Sequence, residues 1–197
     1  MFYLRRPSRE AIERFLAASQ SLPMSYAPIG LVRSDTCRSL DEAAVVIGRG
    51  RADFERARAA LMQWKQFDLG WVELFPQPSP ITTGAVVAVL IRHLGFWSLN
   101  GCRVAYHAEA AGDSAFGYAY GTLPNHAESG EELFEVFIDP RTDDVIYRIR
   151  ATSEPQAMLA RIGQPIVRLL QARFRRDSAA AMKREATSRA PGETADP

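Results

Sequence analysis

His126 lies two residues before Glu128 and six before Glu132, inside the stretch Tyr118-Ala-Tyr-Gly-Thr-Leu-Pro-Asn-His-Ala-Glu-Ser-Gly-Glu-Glu132, which also holds Glu131. Read as a loop between two strands, it concentrates most of the unusual polar chemistry of the chain. An imidazole folded back onto Glu128 or Glu132 makes a general acid/base pair. A histidine with two carboxylates also suits a divalent cation. The plainer account is a polar hairpin loop whose glutamates solvate an exposed edge and whose histidine caps a backbone group. Clustered ionisable groups on loops mark sites often enough to keep the functional reading in view.

Two further groupings carry chemistry. Tyr106, His107 and Glu109 lie on one predicted strand, with 107 and 109 on the same face about 7 Å apart. They are polar anchors if that face lines a cavity and an ordinary exposed strand if it meets water, which is the simpler reading. Phe116, Tyr118 and Tyr120 share the opposite face from Ala115, Gly117, Ala119 and Gly121. Three aromatics in a row can wall a pocket and offer phenol hydroxyls to a flat ligand, although core packing explains the same residues. The bare alternate face lets a helix or another backbone approach closely.

Other motifs fall away. Gly48-Arg-Gly-Arg-Ala-Asp53 resembles the opening of a dinucleotide fingerprint but lacks its third glycine, and the later strands do not alternate with helices. The three histidines, at 93, 107 and 126, are too scattered for a zinc site. No metal and no cofactor is expected.

The elements that must position these residues follow from periodicity. Ser8 caps a helix running to about Gln20, with Ile12, Phe15 and Leu16 on one face. Asp53 opens a second helix with a stripe of Phe54, Ala57, Leu61 and Trp64. Strands are expected at residues 43–47, 71–75, 84–92, 102–109, 115–122, 131–138 and 145–151, with Asn100-Gly101 as a type I′ hairpin turn after Leu99. Short connections make the sheet antiparallel. A long helix over residues 155–182, bent at Gly163-Gln-Pro165, carries Leu159, Ile162, Ile166, Leu169, Leu170 and Phe174 on its apolar side. The expectation is an α+β fold: a curved antiparallel sheet of about seven strands wrapped on a long C-terminal helix. Residues 1–183 form one domain, and residues 184–197, without apolar period, form a disordered tail.

Gly48-Arg-Gly50, Phe54-Glu-Arg-Ala57, Trp64, Phe116-Gly-Tyr-Ala-Tyr-Gly-Thr-Leu123 with His126 and Gly130-Glu-Glu132, and then Pro155, Leu159-Ala-Arg161, Pro165 and Arg173-Phe174 together carry a resemblance. The sequence resembles the domain of unknown function 1990 family from about Tyr3 to Met182; Asn125 stands where glycine is expected. The element order is also similar to the START-like helix-grip fold, whose members bind apolar small molecules between sheet and helix. That likeness is one of fold, which by itself assigns no function.

Composition narrows the classes. At 197 residues with formal net charge +1, no global field draws the chain to nucleic acid or anionic lipid. Cys37 and Cys102 are far apart and suit reduced thiols in a cytoplasmic protein. The longest apolar run, residues 85–91, falls far short of the ~20 residues of a transmembrane helix. Between Arg161 and Arg184 seven basic residues, Arg161, Arg168, Arg173, Arg175, Arg176, Lys183 and Arg184, face only Asp177. They could dock the helix on an anionic partner, but cations near a helix C-terminus also complement its dipole and keep the exposed face soluble.

The main expectation is binding of an apolar small molecule between sheet and helix. Phe116, Tyr118 and Tyr120 would line the site, and His126, Glu131 and Glu132 would read its polar end. The rivals are a small enzyme using His126 with Glu128 or Glu132, and an interaction module docking through the basic helix.

Overall fold

The computed structural model describes residues 1–33, 40–93, 95–109, 113–155 and 164–188. Eight strands form one sheet: β1 (Phe2–Tyr3), β2 (Asp41–Arg49), β3 (Val72–Phe75), β4 (Val86–His93), β5 (Phe96–Glu109), β6 (Ala115–Thr122), β7 (Glu128–Ile138) and β8 (Asp144–Pro155). Their order is β2-β8-β7-β6-β5-β4-β3, with β1 added against β5. Every pairing is antiparallel. Among the described residues three α-helices accompany the sheet: α1 (Arg9–Ser19), α2 (Gly50–Met62) and α3 (Gln164–Thr187). The expected curved sheet on a C-terminal helix is what forms.

Local chemistry explains most boundaries. Ser8 starts α1 by accepting the Ala11 N–H on its hydroxyl. Asp53, three residues into α2, accepts the Arg49 N–H at 2.8 Å, so its carboxylate satisfies a donor the helix cannot. The α2 stripe is buried as its spacing requires: Phe54, Ala57 and Leu61 have no exposed surface.

Three expectations are corrected. Asn100-Gly101 is not a turn but the middle of β5, paired with Val89 and Ala88. The reversal comes earlier, beside Gly95, whose φ of +98° suits glycine. Asn100 is instead a buried connector: its amide donates to the Ser98 hydroxyl at 3.0 Å, and its carbonyl oxygen accepts the Ala127 N–H at 3.3 Å. Gly101 is glycine because a Cβ there would strike the Asn125 side chain. Second, Pro155 is the last residue of β8 rather than the start of a helix. The described helix runs from Gln164 to Thr187 with Pro165 in its first turn, where a missing N–H costs nothing. Residues 156–163, with Gly163 of the expected bend, lie outside the described residues. Third, Leu169 is 69% exposed. Of the other stripe residues, Leu170 and Phe174 pack against the core, while Leu159 and Ile162, and the side chain of Ile166, lie outside the described residues. The helix continues past residue 183 to Thr187 and buries Ala186; residues 189–197 lie outside the description.

The main core fills the concave side of the sheet. Residues from β6, β7 and β8 (Phe116, Tyr118, Phe134, Val136, Tyr147, Ile149) meet α2 and the C-terminal half of α3, where Met182 and Ala186 are fully buried. The Tyr147 hydroxyl lies 2.8 Å from that of Ser178 and ties the helix to β8. On the convex side, α1 covers Ala88, Leu90 and Leu99 through Ile12 and Phe15. A strap of residues 25–33 crosses the bare face of β6, with Val32 packed on Ala119 and Leu133, and Tyr26 against Gly121.

These contacts predict which face of α3 carries stability. Met182→Ala is expected to cost about 2–5 kcal/mol through the cavity it leaves, whereas Leu169→Ala should stay within about 0.5 kcal/mol. Urea unfolding of both variants checks the assignment.

Candidate functional site

Strand alternation along β7 sends its neighbouring carboxylates to opposite faces. Glu131, 2% exposed, lies on the convex side. One oxygen accepts the Tyr26 hydroxyl at 2.6 Å and the Gly30 N–H at 2.8 Å; the other accepts the Tyr106 hydroxyl at 2.8 Å and the Val32 N–H at 3.3 Å. Four donors saturate the carboxylate, and together they pin the strap to the sheet. Burial and this neighbour hold both phenols well above their usual range. Arg33 lies 4.6 Å over the Tyr106 ring and supplies the nearby positive charge. Tyr26 was invisible as a partner in the sequence, since 105 residues separate it from Glu131.

Glu132 points the other way, onto the concave face, and accepts the Tyr120 hydroxyl at 2.7 Å. It borders a recess of about 940 Å³ between the sheet and the N-terminal half of α3. Phe67, Trp71, Val89, Ile91, Leu170 and Phe174 supply the apolar wall, and Ser98, Asn100, Thr122, His126, Glu128 and Ser153 supply polar groups. Of the three aromatics on β6, only Tyr120 reaches the recess. Tyr118 is sealed in the core, where the Gln66 amide donates to its hydroxyl and Trp64 packs edge-on at 4.8 Å. Phe116 is likewise buried, beneath Arg58.

The residues read as one loop are divided. Only residues 123–127 connect β6 to β7; Glu128, Glu131 and Glu132 are strand residues. The His126 Nδ1 accepts the Glu128 N–H at 2.9 Å, which leaves the proton on Nε2. The Glu128 carboxylate is held elsewhere, by the Ser153 hydroxyl at 3.2 Å and the Gln171 amide at 3.1 Å. Imidazole and carboxylate therefore meet through the main chain, and the acid/base pair suggested by spacing is not assembled. Asn125 fastens the same connection to α1 by donating to the Ser19 hydroxyl at 2.7 Å.

Tyr106 joins Glu131 rather than His107, which pairs in register with Tyr118; the Glu109 side chain lies outside the described residues. Among the described residues no group of three or more His, Cys, Asp or Glu side chains could hold a metal ion. Several cations of α3 are engaged: Arg175 pairs with Asp41, Arg173 lies 4.3 Å over the Trp71 ring, and Arg173 and Arg176 both reach Asp177. Arg161 lies outside the description. Among the described residues no helix is long and apolar enough to cross a membrane.

Burial sets the protonation of the recess. It pushes the Glu132 carboxyl up to about 7 from 4.5, and Glu128 and Asp41 add to the rise against Tyr120 and Arg175. Burial also raises Glu128 and lowers His126 from 6.5 to about 4. Between pH 4.5 and 7 the folded chain keeps a proton on Glu132 that the unfolded chain has lost, so this contribution to stability fades as pH rises. Between pH 6.5 and 4 the unfolded chain takes up a proton on His126 first, so that contribution fades as pH falls. The two oppose each other where their windows overlap. Glu132→Gln is expected to gain on the wild type from about pH 5 to pH 8 by up to about 3 kcal/mol, and to lose stability more steeply on acidification. Urea titrations at both pH values check it; an unchanged difference would refute the assignment. Glu131→Ala, which strands four donors, should cost about 3 kcal/mol or more in the same assay.

Comparison with known proteins follows the same outline. The family model described as "Domain of unknown function (DUF1990)" matches residues 25–181. The chain is 32% identical to a UPF0548 protein of Dictyostelium discoideum, over 90% of this chain and 92% of that one. It is 34% identical to a UPF0548 protein of Deinococcus radiodurans, over 94% and 99%. Among solved structures, a hypothetical protein of Helicobacter pylori superposes with a TM-score of 0.52 at 11% identity, covering 85% of this chain and 98% of that one. Sheet, helix and sequence lead to one placement: the chain belongs to the DUF1990 domain family, on a helix-grip fold.

Proposed function

We propose that the protein binds a small molecule with an apolar body in the recess between the sheet and α3. The observation that carries this reading is the separation of the helix into two halves. Residues 178–186 seat Ser178, Ala181, Met182 and Ala186 in the core, while residues 168–175 border about 940 Å³ of space beside the contacts of Gln171 with Glu128 and of Arg175 with Asp41. A recess of that size, with aromatic and aliphatic walls and a few convergent polar groups, has the usual make-up of a ligand site. Tyr120 and Phe174 flank Phe67, with ring centroids 6.1 and 5.3 Å from it, and offer flat surfaces to the ligand body. Glu132 and the Nε2–H of His126 would read its polar end.

The test combines detection and obstruction. Native mass spectrometry of the purified protein looks for a co-purifying ligand, and thermal shifts across an apolar library look for added ones. A hit is expected to raise the melting temperature of the wild type and to have no effect on Ile91→Trp, which places an indole in the recess. A library that shifts neither protein, with no retained ligand, would defeat the reading.

A further inference from the structure

The balance of charge in the recess narrows the class of ligand. Facing Glu132 are Tyr118 and Tyr120 from β6, Cys102 from β5, Glu128 and His126 from β7 and its hairpin, Tyr147 from β8, Asp41 from β2 and Arg175 from α3. The phenols and the thiol are buried and remain neutral, and His126 is a neutral imidazole with Nδ1 already occupied. Two arginines of α3 line the recess: Arg175, whose guanidinium is paired with Asp41, and Arg168, which is exposed to solvent. Among the described residues the donors to Glu128 and Glu132 are neutral: Ser153 and Gln171 for the first, Tyr120 for the second.

The contrast with Glu131 is informative. That carboxylate, the more deeply buried of the two, receives four hydrogen bonds among the described residues, whereas Glu132, half-buried, receives one. A carboxylate lifted from water needs hydrogen bonds or an opposite charge. Glu132 has open space on its other side, and that space is walled by Phe67, Tyr120 and Phe174, whose ring faces attract cations.

Resting on the reading of the recess as a ligand site, we infer that the occupant carries a protonated amine on an apolar body, with the ammonium paired to the Glu132 carboxylate. Glu128 lies four residues away on the same face of β7, about 13 Å along the strand, and adds negative potential without touching the same atom. An ammonium supplies the charge and the donors that Glu132 lacks. A carboxylate or phosphate ligand would instead face two negative groups.

Three probes sharing one apolar body separate the outcomes: 4-phenylbutylamine, 4-phenylbutanol and 4-phenylbutanoate, titrated calorimetrically into the full chain at pH 6 and pH 8. The amine is expected to bind most tightly at pH 8 and about tenfold more weakly at pH 6, as Glu132 takes up its proton with a midpoint of about 7. The alcohol should show little pH dependence. Glu132→Gln is expected to bring amine affinity down to that of the alcohol and to flatten its pH profile. The wild-type contrast between amine and alcohol stands without the variant, should the variant fail to fold by circular dichroism. Equal binding of amine and alcohol at both pH values overturns the amine while leaving the recess as a site. Tightest binding of the butanoate also overturns it and points to the arginines of α3. Failure of all three to bind overturns the inference and counts against the recess as well.

Discussion

One helix packs into the core toward its C-terminus and borders an open recess toward its N-terminus, and this division organises the molecule. The C-terminal half of α3 sits in the hollow, where Met182 and Ala186 lose all contact with water and Ser178 meets Tyr147. That half spends its side chains on the core shared with α2. Toward its N-terminus the helix borders the recess with Leu170, Gln171 and Phe174, and Gln171 reaches Glu128 of β7. One element therefore stabilises the fold at one end and shapes a recess at the other. The small residues at 178, 179 and 181 allow the close approach at the anchored end, and the bulk of Leu170 and Phe174 props the other end open.

The same economy operates within a single strand. Glu131 and Glu132 are adjacent in sequence, and the pleat places them on opposite sides of the sheet. On the convex side a strap of chain brings four donors to the carboxylate, so its charge is solvated by the protein itself. On the concave side the carboxylate has a single phenol and an aromatic neighbourhood, and its proton is held to neutral pH. Two chemically identical side chains thus become a fastener and a titratable group through geometry alone.

How much of this was legible follows the range of each interaction. The Ser8 cap, the α2 stripe, the bare face of β6 and the strand over residues 43–47 all depend on residues within a few positions of each other, and they are legible in the sequence. The family resemblance was legible for the same reason, as a continuous string from Phe116 to Glu132. Asn100-Gly101 misled because a dipeptide that suits a turn also suits a buried connector; the Val89, Ala127 and Asn125 contacts that decide between them are remote in sequence. Pro155 reads as a helix start in the sequence because its pairing with Glu128 at the end of β8 is one that local periodicity does not reveal. Tyr118 looked like a pocket wall and proved to be core, since the residues sealing it, Gln66 and Trp64, belong to the chain between α2 and β3. Tyr120, on the same face two residues later, is the one that reaches open space.

The fastening of the strap also orders events in time. Tyr26, Gly30 and Val32 precede their shared acceptor by 105, 101 and 99 residues, and chains emerge from the ribosome N-terminus first. Until Glu131 has been translated, one phenol and two amides of the strap lack their acceptor, and Ser25 likewise waits for Thr122 and Ser129. The convex surface of β6 stays uncovered throughout that interval. Its wrapping is a late step of biosynthesis, completed when the ribosome has moved well beyond β7.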